Sequence, residues 1–262
     1  MRKKILILVA LLFIAIVAFS IFYTPSLPVN YGKVDARLFL AASQNQPLVV
    51  AFGGSEGGNV YASEELKEIR NKFLQKGYGF LAIGYFGGPN ASEVFDRISL
   101  NAIHAAIIKA SQNPKINKEK IALIGGSRGG ELVLNFGKQV SVGETSAWSY
   151  DNQPLPYLPS TLKSVYYSIK DDWVNAFKEM LTDSKAVEKA AIKVENINGS
   201  ILLISAKNDE VWPSFYMSNM IMERLREKKF QNYYEHIVIE GGHTEADKDY
   251  SLTLEFLKRY FK

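Results

Sequence analysis

Ser127 stands in Gly125-Gly126-Ser127-Arg128-Gly129, a Gly-x-Ser-x-Gly segment. A serine hydroxyl is a poor nucleophile at neutral pH. It needs a base within hydrogen-bond reach and a third group that orients the base. The chain has three histidines, so the base is open to elimination. His104 precedes Ser127 inside a helical pattern, and His236 lies within the apolar run Tyr234 to Ile239. His243 follows that run after Gly241-Gly242. In open α/β sheets functional loops gather at the carboxyl ends of the strands, so His243 is the expected base. The acid must hold the imidazole tautomer and stabilise the imidazolium. Asp209, just past the apolar run Ile201 to Ala206, suits that role. The neighbouring Glu210 is the competitor, with a longer arm aimed elsewhere; Asp171, Asp172 and Asp183 read as solvated charges.

Acyl transfer also needs N–H donors where charge develops on the carbonyl oxygen. The residue after the nucleophile, Arg128, supplies one, and the loop Gly53-Gly54-Ser55 supplies the other from Gly54 or Ser55. The Arg128 side chain reads as structural, pairing with Glu131 or Glu56; contact with an anionic substrate is the other option. A glycine-rich turn that binds an anion at a helix N-terminus is the competing view of the motif. No Gly-x-Gly-x-x-Gly and no closing Lys-Ser/Thr supports it.

These residues need a frame. Lys120 to Ile124 is an apolar strand pattern entering the Gly-x-Ser-x-Gly turn, and a helical pattern from Glu131 to Lys138 leaves it. That context is a nucleophile elbow, with Ser127 at the apex in strained backbone. Gly125 and Gly129 are expected because a Cβ at either would strike the opposite limb of the turn. Val34 to Leu40, Pro47 to Phe52, Phe80 to Phe86, Ile201 to Ala206 and Tyr234 to Ile239 read as strands. Helices are expected over Ala62 to Gln75, Ser92 to Ser111, Ser214 to Lys228 and Asp247 to Phe261. The alternation predicts an α/β-hydrolase fold, a mostly parallel sheet covered by helices on both faces. After Lys138 the pattern thins. Gln139 to Thr161 holds only Val140-Ser141-Val142 as a strand stub, and its Trp148, Tyr150, Pro154, Pro156, Tyr157 and Pro159 suggest an aromatic loop over the site. Helical patches at Asp172 to Leu181 and Ser184 to Ala191 complete a cap-like insertion over about residues 140–195.

No cysteine is present, which excludes disulfides, thiolate metal sites, a lipobox and a Cys nucleophile. The chemistry asks for no cofactor and no metal. The net charge of +4 owes most to Arg2-Lys3-Lys4, so no basic stripe remains for nucleic acid. These basic residues precede an uncharged run from Ile5 to Phe22, which as a helix would span about 27 Å. Residues 1–30 therefore read as a signal anchor or signal peptide plus tether, and 31–262 as the hydrolase domain. With the basic end cytoplasmic, the domain is expected outside the cytoplasm, anchored to the membrane, or secreted if the segment is cleaved.

The chain resembles the C-terminal catalytic domain of the acyl-CoA thioesterase and bile acid-CoA:amino acid N-acyltransferase family. The matching segments are Ala51 to Gly58, Ile124 to Glu131, Val211-Trp212-Pro213-Ser214 and Gly241-Gly242-His243. The resemblance covers about residues 31–262. It implies Ser127, Asp209 and His243 as a triad, and a small-molecule thioester, ester or amide whose acyl group passes through an acyl-enzyme. Three features depart from it: a membrane segment stands where the animal enzymes carry a β-sandwich, Ser replaces the Cys of some relatives, and the strand after the elbow helix is thin. An outward-facing enzyme would seldom meet cytosolic coenzyme A thioesters, which favours other acyl groups. Two further readings stay open: a non-catalytic interaction protein on a hydrolase scaffold, and a peptidase related to the prolyl oligopeptidases.

Overall fold

In the computed structural model the described residues are 26–136 and 148–261, with helical Ile5, Leu8, Val9, Leu11, Leu12 and Ala15 from the N-terminal segment. Most of the expected membrane run Ile5 to Phe22, and the whole stub Val140 to Val142, lie outside them. Among the described residues no helix is long and apolar enough to cross a membrane.

The first half of the chain builds a four-stranded sheet in the order β1-β3-β2-β5. Its strands are β1 (Asp35–Phe39), β2 (Gln46–Phe52), β3 (Gly79–Gly84) and β5 (Ile116–Gly125); a two-residue strand, β4 (Ile98–Ser99), precedes β5 in the chain. β2 runs parallel to both β3 and β5, while β1 is antiparallel to β3. Successive side chains of a strand point to opposite faces, so a strand covered on both sides reads as one continuous apolar run. In β2, Leu48, Val50 and Phe52 enter one buried cluster with Ile103, Leu132 and Trp148. Val49 and Ala51 enter another with Phe73, Phe80 and Leu257. Helices α1 (Lys67–Gln75), α2 (Leu100–Ser111) and α3 (Arg128–Phe136) supply much of that cover.

Two of these helices start later than the sequence pattern suggests. Ahead of α1, Val60–Ala62 forms a 3₁₀ turn, and the Arg70 guanidinium donates to the carbonyls of Tyr61 and Ser63, pinning the chain outside the helix. Ahead of α2, Arg97 sits in left-handed backbone (φ +47°), and Ser99 caps the helix by accepting the Ala102 N–H at 3.2 Å. A capping serine fixes a helix start more firmly than an apolar period extending beyond it.

Trp148 and Tyr150 belong to β6 (Trp148–Tyr150), not to an aromatic loop over the site. β6 pairs with β4 and with β7 (Gln153–Pro154) in a small separate sheet. The indole of Trp148 is buried, with its N–H donating to Glu131 Oε1 at 2.7 Å. The cap-like part holds α4 (Leu162–Ile169), α5 (Trp173–Met180) and α6 (Ser184–Ala190). Asp172 and Asp183, expected as solvated charges, accept backbone N–H groups at the starts of α5 and α6. Then β8 (Ile201–Ala206) and β9 (Tyr234–Ile239) pair in parallel around α7 (Ser214–Glu227), and α8 (Ser251–Tyr260) ends the fold. Among the described residues no strand joins β5 to β8. Leu134 of α3 packs on the β8 cluster, and Leu257 of α8 on the four-stranded sheet.

Candidate active site

β5 delivers Ser127 at its carboxyl end, and α3 begins at the next residue. Ser127 has φ +52°, a left-handed conformation that costs a non-glycine residue energy and survives where packing enforces it. The glycines explain how. A Cβ on Gly125 would run into the backbone of Gly129 across the turn, as the sequence suggests. One on Gly129 would strike the carbonyls of Phe52 and Gly53, so that glycine admits β2 rather than the opposite limb.

β8 and β9 deliver the other two groups from the far side. The Nε2 of His243 lies 3.1 Å from Ser127 Oγ, and its Nδ1 lies 3.0 Å from each carboxylate oxygen of Asp209. Asp209 is the more enclosed partner, its side chain 5% exposed against 17% for His243. Burial pushes the Asp209 carboxyl upward. Hydrogen bonds from His243, Ser214 and the N–H groups of Trp212 and Val211 outweigh it and hold the carboxyl below the usual aspartate value.

The sequence reading left Glu210 without a role. Its Oε2 accepts the His243 backbone N–H at 3.1 Å, fixing the loop that carries the imidazole. A Cβ on Gly242 would meet that carboxylate at 2.7 Å, and Gly241 has φ +134°. A close approach of this kind between residues 33 apart leaves no local pattern in the sequence. His236 lies within β9, as expected, with Nε2 2.7 Å from Ser205 Oγ, and burial lowers its pKa. His104 is on the exposed side of α2.

Gly54 packs against the nucleophile: a Cβ on it would stand 3.2 Å from Ser127 Cβ. Its N–H donates to Glu56 Oε1 at 2.9 Å, and the Tyr85 hydroxyl donates to the carbonyls of Gly53 and Gly54 at 2.8 and 3.2 Å. Ser55 is exposed beside it. The Arg128 guanidinium pairs with Glu131 at 3.0 Å, not with Glu56, and lies 5.6 Å from the Phe95 ring centre and 6.0 Å from that of Trp212. Phe177 of the cap meets Trp212 edge to face, so the cap adjoins the loop that holds Asp209. Among the described residues no group of three or more His, Asp or Glu side chains is placed to hold a metal ion.

Residues 103–245 match the model of the family described as BAAT / Acyl-CoA thioester hydrolase C terminal, more than half of the chain. The chain belongs to this family. Human acyl-coenzyme A thioesterase 6 is 28% identical over 221 residues, covering 76% of this chain and 49% of the relative. Mouse mitochondrial acyl-coenzyme A thioesterase 2 is 27% identical over 218 residues, covering 76% of this chain and 45% of the relative. The chain thus spans about half the length of the curated relatives it matches. Among solved structures, Pyrococcus horikoshii acylaminoacyl peptidase superposes with a TM-score of 0.60 at 17% identity, covering 87% of this chain and 40% of that one. Est1E from Butyrivibrio proteoclasticus gives a TM-score of 0.53 at 16% identity, covering 86% and 93%. At those identities the likeness concerns the fold, and this BAAT-type domain has the α/β-hydrolase fold.

Proposed function

We propose that the domain is a serine acyl hydrolase or acyltransferase in which Ser127 is the nucleophile, His243 the base and Asp209 the acid. The observation that carries this reading is the unbroken hydrogen-bonded line from Ser127 through His243 to Asp209, assembled from three distant loops. An ionised carboxylate only accepts hydrogen bonds. With Asp209 held ionised, the shared proton belongs to Nδ1 of His243, and Nε2 turns a lone pair to the serine hydroxyl. His243 takes the hydroxyl proton as Oγ attacks the acyl carbon, and returns it to the leaving group as the tetrahedral intermediate collapses. The Arg128 N–H, with that of Gly54 or Ser55, stabilises the oxyanion. Water or another acceptor then releases the acyl group by the same steps in reverse.

An acyl thioester is a candidate substrate class, because the curated relatives are named acyl-coenzyme A thioesterases; carboxylic esters and amides stand beside it, because a domain facing away from the cytoplasm would seldom meet coenzyme A thioesters. Residues 1–30 form a signal anchor or cleavable signal with its tether in this reading, residues 31–262 the hydrolase domain facing away from the cytoplasm. Carbonate extraction of membranes tests the anchor: full-length protein released quantitatively into the supernatant would remove it. The decisive assay compares the wild type with Ser127→Ala on acyl thioesters, p-nitrophenyl esters and short peptides. Thioester turnover lost in the variant supports the proposal. Turnover unchanged in the variant overturns the Ser127 mechanism, and peptide cleavage alone would favour a peptidase.

A further inference from the structure

We propose that Glu56 is the resting-state occupant of an oxyanion donor, so that its carboxylate governs how readily the site accepts a developing negative charge. The proposal rests on the reading of Ser127 as nucleophile and Gly54 as one donor. An oxyanion hole works because its N–H groups are aimed at empty space beside the nucleophile, ready before charge appears there. At Gly54 that space is filled: Glu56 Oε1 accepts the N–H at 2.9 Å, the distance an acyl oxygen would take up. Glycine packing brings the carboxylate and nucleophile to the same backbone unit. A Cβ on Gly54 would stand 2.8 Å from Glu56 Oε2 and 3.2 Å from Ser127 Cβ. On the other side, a Cβ on Gly53 would meet Glu56 Oε1 at 2.5 Å, so the consecutive glycines leave the room that the carboxylate fills.

A carboxylate held there opposes acyl transfer in two ways. It takes up a donor that the transition state needs, and its charge repels the oxyanion. Glu56 is itself exposed, so the side chain has solvent to swing into. The amide it leaves behind is buried and kept in place by the Tyr85 hydroxyl bonds to the carbonyls of Gly53 and Gly54. The donor is rigid and its occupant movable. A substrate must therefore displace Glu56 before its carbonyl is fully polarised, and one that draws the carboxylate away gains over one that does not. This makes Glu56 a determinant of specificity as well as of rate.

The test measures kcat and KM on a small p-nitrophenyl ester for full-length wild type, Glu56→Ala and Glu56→Gln, each also carrying Ser127→Ala as a control. Loss of one oxyanion donor typically costs on the order of 10²–10³ in rate, so freeing a partly blocked one is expected to raise kcat/KM about tenfold in Glu56→Ala, chiefly in kcat. Glu56→Gln keeps an oxygen facing the N–H but loses the charge, and is expected to fall between. Rates at or below wild type in both variants, with melting temperatures unchanged, overturn the proposal; so does a lower rate accompanied by a lower melting temperature, which makes Glu56 a support for the loop. If Glu56→Ala does not fold, Glu56→Gln decides alone. Ester turnover that survives Ser127→Ala defeats the nucleophile reading instead, and if no variant turns over either the ester or an acyl thioester both readings fall.

Discussion

Among the described residues two serine–histidine contacts stand out, and they differ in everything except the hydrogen bond. Ser205 and His236 stand 2.7 Å apart on neighbouring strands β8 and β9, closer than the 3.1 Å between Ser127 and His243. Ser205 is fully buried inside a regular strand. Its histidine packs beside Phe215 and has its pKa lowered by burial. Ser127 instead occupies a left-handed position at the end of a strand, and its histidine has an ionised carboxylate behind it. A short Ser–His contact is therefore no sign of activity. The acid that fixes the tautomer and the turn that presents the hydroxyl distinguish a site from a satisfied polar pair.

The largest expected difference between the pairs is in turnover. Ser127→Ala should lower kcat by on the order of 10⁶ if the three groups act as a unit, while Ser205→Ala leaves kcat unchanged in ester or thioester assays. Equal losses in both would erase the distinction. Next in size is Asp209→Asn, which keeps the shape but favours the wrong tautomer; a fall of roughly 10⁴ in kcat is expected, with a lower melting temperature as the stability tied to the ionised carboxylate is lost. The pairs should exchange ranks in stability. Ser205→Ala strands a half-buried imidazole nitrogen and is expected to cost about 1–3 kcal/mol in denaturant unfolding, whereas Ser127→Ala leaves an imidazole that Asp209 still holds and is expected to cost less.

The smallest effect is on the pH dependence of folding. Because the folded pKa of His236 lies below its unfolded value of about 6.5, the unfolded chain binds more protons between the two. Stability tied to neutral His236 is complete above the unfolded value and is lost as pH falls toward the folded one. His236→Gln should flatten the unfolding midpoint over that window. Asp209 acts at lower pH: its depressed pKa contributes stability above the unfolded carboxylate value of about 3.9, lost as pH falls through the folded value. An unchanged slope in His236→Gln would show that burial of this ring is not what makes the fold acid-sensitive.

Much of this was legible from residue order. Buried parallel strands announce themselves as apolar runs, and β2, β3, β8 and β9 fall within a residue or two of the expected bounds. The trio Ser127, Asp209 and His243 follows from a spaced glycine motif and from the rule that functional loops cluster at one sheet edge. Other features required coordinates. Helix α4 carries Leu162, Val165, Tyr166 and Ile169 at helical spacing on one exposed face, a pattern obscured in the sequence by the prolines and serines around it. The late starts of α1 and α2 depend on Arg70 and Ser99 contacts. Glu56 and Glu210 act on backbone amides whose positions no periodicity reveals. The sequence also points to thin strand support after α3. That stretch, with the stub Val140 to Val142, lies outside the described residues.

Reaction of full-length protein with a fluorophosphonate probe, followed by mass-spectrometric mapping of the adduct, tests the central claim most directly. A serine activated by His243 should carry the label on the peptide containing Ser127, and the label should disappear in Ser127→Ala and in His243→Ala. Modification of Ser205 instead, or a wild type left unlabelled at millimolar probe while its fold is intact, would contradict the account.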